Sequence, residues 1–232
     1  MNSMRIFAMG AVVMAMALGA WADTPKECGG MPLVFEDSFE DGADRWEMTD
    51  AKAWKVEEVD DGHALSLKRP SRYAPPVRSP KSIAWVKGLD VGSFVLDVKA
   101  HQTGREYGHR DLCFFFGKQD PAHYYYVHLA TKADDHANSI FLVNGEPRVS
   151  IAKERTDGTD WGKGFHQIRI KRDTESGRIE VYFDDMDKPV MIAEDKTFTS
   201  GTVGLGSFDD VGQFDDVRVW SEKADAQEAK DQ

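Results

Sequence analysis

From Trp54 onward the chain changes polarity at almost every step. Trp54-Lys55-Val56-Glu57 and Ala64-Leu65-Ser66-Leu67-Lys68 alternate apolar and polar positions, the period of a strand with one buried face. The same reading predicts strands over 82–87, 94–99, 112–116, 124–130 and 140–143, then over 149–152, 167–171, 179–183, 190–193, 203–208 and 214–220. Turn pairs separate them: Asp61-Gly62, Asn144-Gly145, Asp157-Gly158, Ser176-Gly177 and Val211-Gly212. A helical period is confined to the last dozen residues, SEKADAQEAKDQ, which are polar throughout and read as a frayed tail. A dozen or so strands without the long crossovers of parallel sheets predict an all-β protein, an antiparallel two-sheet β-sandwich.

The alternation also assigns faces. Ile179, Val181 and Phe183 oppose Glu180, Tyr182 and Asp184, and Ile168 and Ile170 oppose Gln167, Arg169 and Lys171. These strands have one core face and one wet face. The segment from His109 to Ala130 breaks the rule, with three Phe, three Tyr and three His in twenty-two positions. Leu112, Phe114 and Phe116 point one way, Cys113 and Phe115 the other. Tyr125, Val127 and Leu129 oppose Tyr124, Tyr126 and His128. With both faces apolar or aromatic, the two strands lie centrally in a sheet, and the short link through Asp120-Pro121 makes them a hairpin.

The N-terminus adds an export signal. Arg5 precedes an apolar run from Ile6 to Leu18, and Ala20-Trp21-Ala22 offers small residues at the cleavage positions. The run is shorter than the roughly 20 residues of a spanning helix. The expected organisation is a signal peptide over 1–22 and a leader linker over 23–33. One domain follows over 34–220, then a polar tail over 221–232. Export predicts a secreted or periplasmic protein with no membrane contact after cleavage. The net charge of −11, from 40 acidic and 29 basic residues, repels nucleic acid and anionic lipid. Cys28 and Cys113 are the only cysteines. Export permits a bridge between them, while a loose thiol and a buried small hydrophobe are the plainer alternative.

DSFEDGADRW (37–46), the following Trp54, and GTVGLGSFDDVGQFDDVRVW (201–220) resemble the concanavalin A-like lectin/glucanase jelly rolls. The nearer likeness is to secreted bacterial LamG-type and 3-keto-disaccharide-hydrolase-like domains. The resemblance implies two curved sheets, a concave face that often receives a glycan, and in some members a structural calcium joining the termini. Asp37, Glu40 and Asp41 near the start, with Asp215 and Asp216 near the end, are the hard-oxygen ligands for such a Ca2+ if the terminal strands pair. A solvated acidic edge is the alternative.

A sugar packs its C–H faces on aromatic rings and bonds its hydroxyls to Tyr, His, Asp and Arg. Tyr124, Tyr126 and His128, with His109 and Asp111 from the partner strand, are therefore the expected groove for a poly- or oligosaccharide. Trp161, between Asp160 and Gly162, is the expected exposed platform. Three functional classes stay open. The first is glycan binding. The second is a lyase or keto-sugar glycoside hydrolase with His128 as base, Tyr126 as acid and Arg105 or Arg110 as neutraliser. The third is a structural envelope module. The Glu-x-Asp-x-x-Glu strand of the glucanases is absent, so the carboxylate pair of retaining hydrolysis has no carrier in that motif. Tyr126-Val127-His128 only approximates the Gln-Ile-His strand of jelly-roll lyases.

Overall fold

The structure is a computed structural model and describes residues 24–60 and 62–223. The expected signal peptide lies outside the described residues, as does nearly all of the polar tail. In chain order the strands are β1 (Glu27–Cys28), β2 (Met31–Asp37), β3 (Trp46–Met48), β4 (Trp54–Val59), β5 (Gly62–Leu67) and β6 (Ser82–Val86). They continue with β7 (Val91–Gln102), β8 (Asp111–Asp120), β9 (His123–Ala130), β10 (Ser139–Asn144), β11 (Val149–Ser150) and β12 (Ala152–Arg155). The last five are β13 (His166–Arg172), β14 (Arg178–Phe183), β15 (Met191–Glu194), β16 (Thr202–Ser207) and β17 (Gly212–Lys223). No described helix is long and apolar enough to cross a membrane.

Every pairing is antiparallel, and the strands form two sheets. The larger has ten strands in the order β1-β2-β17-β7-β13-β14-β15-β12, with β4 and β5 joined through β17. The smaller has seven, ordered β11-β10-β9-β8-β16-β6-β3. The all-β sandwich is therefore as the alternation predicts. The segment expected as a leader linker is different. From Glu27 it forms β1 and β2, and β2 pairs with β17 from Asp37↔Val217 to Leu33↔Trp220. The short runs 27–28 and 31–37 carry too little alternation to be read alone; β17 supplies their partner.

The core between the sheets follows the predicted faces. Leu96, Val98, Ile168, Ile170, Ile179, Val181, Phe214 and Val219 of the larger sheet pack with Leu112, Phe114, Phe116, Tyr125, Val127 and Leu129 of β8 and β9. Phe94 meets Phe116 edge-on across the gap, with ring centroids 5.6 Å apart. Each such side chain, fully removed from water, contributes about 1.5–3 kcal/mol.

A second apolar layer lies on the far side of the smaller sheet. Ile83, Trp85, Cys113, Phe115, Tyr124, Tyr126, Phe141 and Val143 form it, and Val77 and Phe208 pack over it. Val77 belongs to the segment 68–81, which crosses this face. Asp50 fastens that segment through Arg69 and the Arg72 N–H, both at 3.0 Å, and the Ser71 N–H donates to Ser82 Oγ at 2.9 Å. At Gly206 a Cβ would sit 1.8 Å from the Ser82 carbonyl oxygen, so only glycine allows β16 and β6 to approach this closely.

Candidate functional site

The register of β8 and β9 brings much of the predicted constellation together. Cys113 pairs with His128, and Phe115 with Tyr126. On the next strand Phe141 pairs with Tyr126, and the two rings stack at 5.1 Å. Asp111 lies two residues from Cys113 on the same face. Its Oδ1 accepts from Ser207 Oγ and its Oδ2 from the Phe208 N–H, both at 3.1 Å.

This face is closed, however. Tyr124, Tyr126, His128 and Asp111 are 1%, 0%, 4% and 1% exposed, beneath the 68–81 segment, Phe208 and Arg148. Phe208 stacks on the His128 ring at 5° between planes, and the Arg148 guanidinium lies 4.2 Å from the Phe208 ring centre. A polymer does not reach Tyr126 or His128 in this conformation. Burial pushes the Tyr124 and Tyr126 phenols and the Cys113 thiol up, so all three stay protonated at neutral pH.

The other expected residues lie elsewhere. His109 is exposed and bonds Asp134 at 2.5 Å. Arg110 is 9% exposed and donates to the Gln102 side chain and carbonyl. Trp161 is not an exposed platform. It is 1% exposed and its Nε1 donates to the Leu129 carbonyl at 3.1 Å. An indole in a short Asp-Gly loop still finds the core when the loop folds inward, and its lone N–H then needs a carbonyl. Cys28 and Cys113 are both free, on opposite sheets.

The terminal strands do pair, and the expected calcium carboxylates are largely engaged with protein groups. Asp37 accepts from the Phe39 N–H and from Trp46 Nε1, and Glu40 from the His63 N–H. Asp216 bridges to Lys99 at 2.7 Å and to Arg218 at 3.1 Å. Asp41 is exposed. Among the described residues, two groups of three His, Cys, Asp or Glu bring ligand atoms within 4.8 Å of one another: Asp111, Cys113 and His128, and Asp111, Asp209 and Asp210. Neither includes a terminal carboxylate. Burial first, and then the Asp111 charge, raise Asp210 to about 6 against the opposing bond from Tyr107.

An open cleft lies on the outer face of the ten-stranded sheet. It holds about 670 Å3 and is lined by Val59, Asp60, Lys99, His101, Gly164, Phe165, His166, Gln167, Asp184, Gln213 and Asp215. Strand register explains its floor. Gln213 lies opposite His101, and Asp215, Lys99 and Gln167 form the next cross-strand row. His101 Nδ1 and Gln213 Oε1 are 3.2 Å apart. The wall is the turn before β13, where Gly162 and Gly164 take positive φ and Phe165 stays 36% exposed. The Phe165 ring tilts against His101 at 5.6 Å. His166 bonds Asp184 at 2.7 Å and the Trp161 carbonyl at 2.8 Å, which fixes that wall.

The electrostatics of the cleft are distinctive. Burial lowers His101, reinforced by the charges of Arg110 and His166 and resisted by Gln213. Burial raises Asp215 to about 6, helped by the charges of Asp216 and Glu40 and opposed by the Asp216 N–H and Lys99. Of β7, β13 and β17, only β13, with Gln167, Arg169 and Lys171, reads as a wet face in sequence, and no local signal brings residues 59–60 and 164–166 to the rim of a cleft.

No protein-family model matches this chain. No curated protein matches it either. Solved structures share its fold. A carbohydrate-binding module, CBM66, from Bacillus subtilis superposes with a TM-score of 0.53 at 18% identity, covering 76% of this chain and 96% of that one. Winged bean acidic lectin, complexed with methyl-α-D-galactose, gives 0.51 at 14% identity, covering 80% and 96%. The GH43 protein BlXynB from Bacillus licheniformis gives 0.54 at 12% identity, covering 81% of this chain and 39% of that larger one. At these identities the likeness is one of fold, the jelly roll of lectins and their relatives.

Proposed function

We propose that this protein is an exported glycan-binding jelly roll and that it takes a neutral oligosaccharide in the cleft of its ten-stranded sheet. The observation that carries this reading is the cleft floor. Two cross-strand rows present an imidazole, two amides and a carboxylate beside the exposed Phe165 ring. Planar amides, imidazoles and carboxylates bond sugar hydroxyls, and an exposed ring takes a C–H face. Asp60, Asp184 and Asp215 against Lys99, itself held by Asp216, leave the cleft acidic. That selects neutral sugars over uronates. The jelly-roll neighbours named as a carbohydrate-binding module and a lectin support the class. The signal-like segment 1–22 supports export.

Calorimetric titration of the mature protein with neutral and uronate oligosaccharides tests the proposal. Neutral ligands are expected to bind at micromolar to millimolar concentration and uronates more weakly. Absence of any binding at millimolar ligand would sink it. So would binding that survives in both His101→Ala and Phe165→Ala.

A second reading, hydrolysis, rests on Asp215. A carboxyl that titrates at about 6 within a cleft has the property required of a general acid. It predicts shortened chains in a polysaccharide digest, and their disappearance in Asp215→Asn. Unchanged chains leave binding alone.

A further inference from the structure

The closed face of the seven-stranded sheet holds a group of side chains that neither sugar binding nor packing accounts for. Asp111 and Cys113 stand two residues apart on one face of β8, and His128 stands directly across from Cys113 on β9. On the other side of Cys113 the register partner is Gly206, which contributes no side chain. Cys113 Sγ lies 3.1 Å from Asp111 Oδ2, and His128 Nε2 lies 3.2 Å from the same oxygen. Yet neither ring nitrogen of His128 has a hydrogen-bond partner in the protein, although the residue is 4% exposed. The Asp111 oxygen stands 3.2 Å from Nε2 without forming a hydrogen bond to it. The Tyr126 hydroxyl, on the neighbouring position of the same strand face, is buried and unpartnered as well.

A buried imidazole with no partner is costly. A carboxylate oxygen beside a ring nitrogen with no hydrogen bond between them is the arrangement of two ligands that share a third atom. Around a tetrahedral Zn2+, with bonds of about 2.0–2.3 Å to O, N and S, ligand atoms stand about 3.2–3.6 Å from one another. The observed separations, 3.1 and 3.2 Å, lie just below and at the lower limit of that range.

We propose that Asp111, Cys113 and His128 form a buried site for a borderline-soft divalent cation, Zn2+ by preference. The Tyr126 hydroxyl or a water completes the fourth position. A thiolate argues against Ca2+ and Mg2+, and the imidazole and carboxylate suit zinc. On binding, Cys113 releases its thiol proton to solvent and an S–Zn bond forms. Two anionic ligands on a dication leave the site neutral, which a dry interior requires. Its role is structural: it ties β8 to β9 under the 68–81 segment, which leaves no path for a polymer.

The test is to refold the mature protein with Co2+ as a spectroscopic stand-in for Zn2+, remove free metal, and measure metal per chain and the absorption spectrum. Refolding in the presence of metal removes any question of access to a closed site. One Co2+ per chain is expected, with a thiolate-to-cobalt charge-transfer band. Both should be lost in Cys113→Ser and His128→Gln and kept in Cys28→Ser, whose sulfur is on the opposite sheet. Should either site variant fail to fold, melting of the wild type decides. Zn2+ present during refolding should raise Tm by a few degrees over a chelator-treated sample. A folded wild type with no metal and no Tm shift overturns the proposal, as does metal retained in Cys113→Ser and His128→Gln.

Discussion

The two outer faces of the sandwich are built from opposite materials. On the seven-stranded sheet the outward residues of β8 and β9 include Cys113, Phe115, Tyr124, Tyr126 and His128 with the carboxylate of Asp111, and all are buried. On the ten-stranded sheet they are Lys99, His101, Gln167, Gln213 and Asp215, which line an open cleft. A face rich in aromatic rings attracts cover as readily as it attracts ligand, because the same apolar area drives both. Here a segment of the chain itself, anchored by Asp50 and Ser82, has taken that place. The polar face attracts no cover and stays available.

That contrast can be broken most forcefully at Tyr126. Its ring stacks between Phe115 at 5.7 Å and Phe141 at 5.1 Å. Tyr126→Ala should cost about 3–5 kcal/mol of stability, read by chemical denaturation. Glycan affinity of the molecules that remain folded should be unchanged. A large affinity loss with little loss of stability would move the site to the closed face.

The open face should behave in the opposite way. Phe165→Ala and His101→Ala should each weaken sugar binding about tenfold, near 1.4 kcal/mol. Their melting temperatures should stay close to that of the wild type, since neither ring is held in the core. Calorimetry and thermal melting on the same samples separate the two effects.

A smaller effect concerns pH. The folded-state pKa of Asp215, about 6, lies above the ordinary carboxylate value near 4. The protonated form is favoured by folding, so this contribution is fully present below about pH 4 and is lost as pH rises through 6. Asp215→Asn should therefore stabilise the protein by roughly 1–2 kcal/mol at pH 8 and do nothing at pH 4. Denaturation curves at the two pH values check it, and equal shifts at both would show that Asp215 ionises freely.

The least effect is expected at His109, the exposed member of the aromatic segment. Its imidazole meets Asp134 in solvent, so His109→Ala should change stability by no more than about 0.5 kcal/mol and leave affinity intact. A tenfold loss of affinity would place sugar at the edge of the closed face.

Much of the fold could be read from the chain because strand alternation is a local property. The strands from Trp54 to Trp220 and the inward sets of β8, β9, β13 and β14 follow from period two alone. Alternation also groups Tyr126 with His128 and Asp111 with Cys113, but only the register of β8 on β9, with Cys113 opposite His128, puts both sets on one face. β1 and β2 escaped notice because a two-residue and a seven-residue strand carry little pattern without the partner that pairs them. Trp161 was misplaced because nothing near it in sequence shows that its N–H would find the Leu129 carbonyl.

Strand alternation alone predicts an all-β sandwich and which residues of each strand share a face. Backbone geometry sends successive side chains to opposite sides, and that needs no knowledge of the rest of the molecule. Which of the two outer faces stays open to water is settled by the assembled fold. That depends on where a segment tens of residues away comes to rest, and on contacts whose energy exists only once both partners are in place.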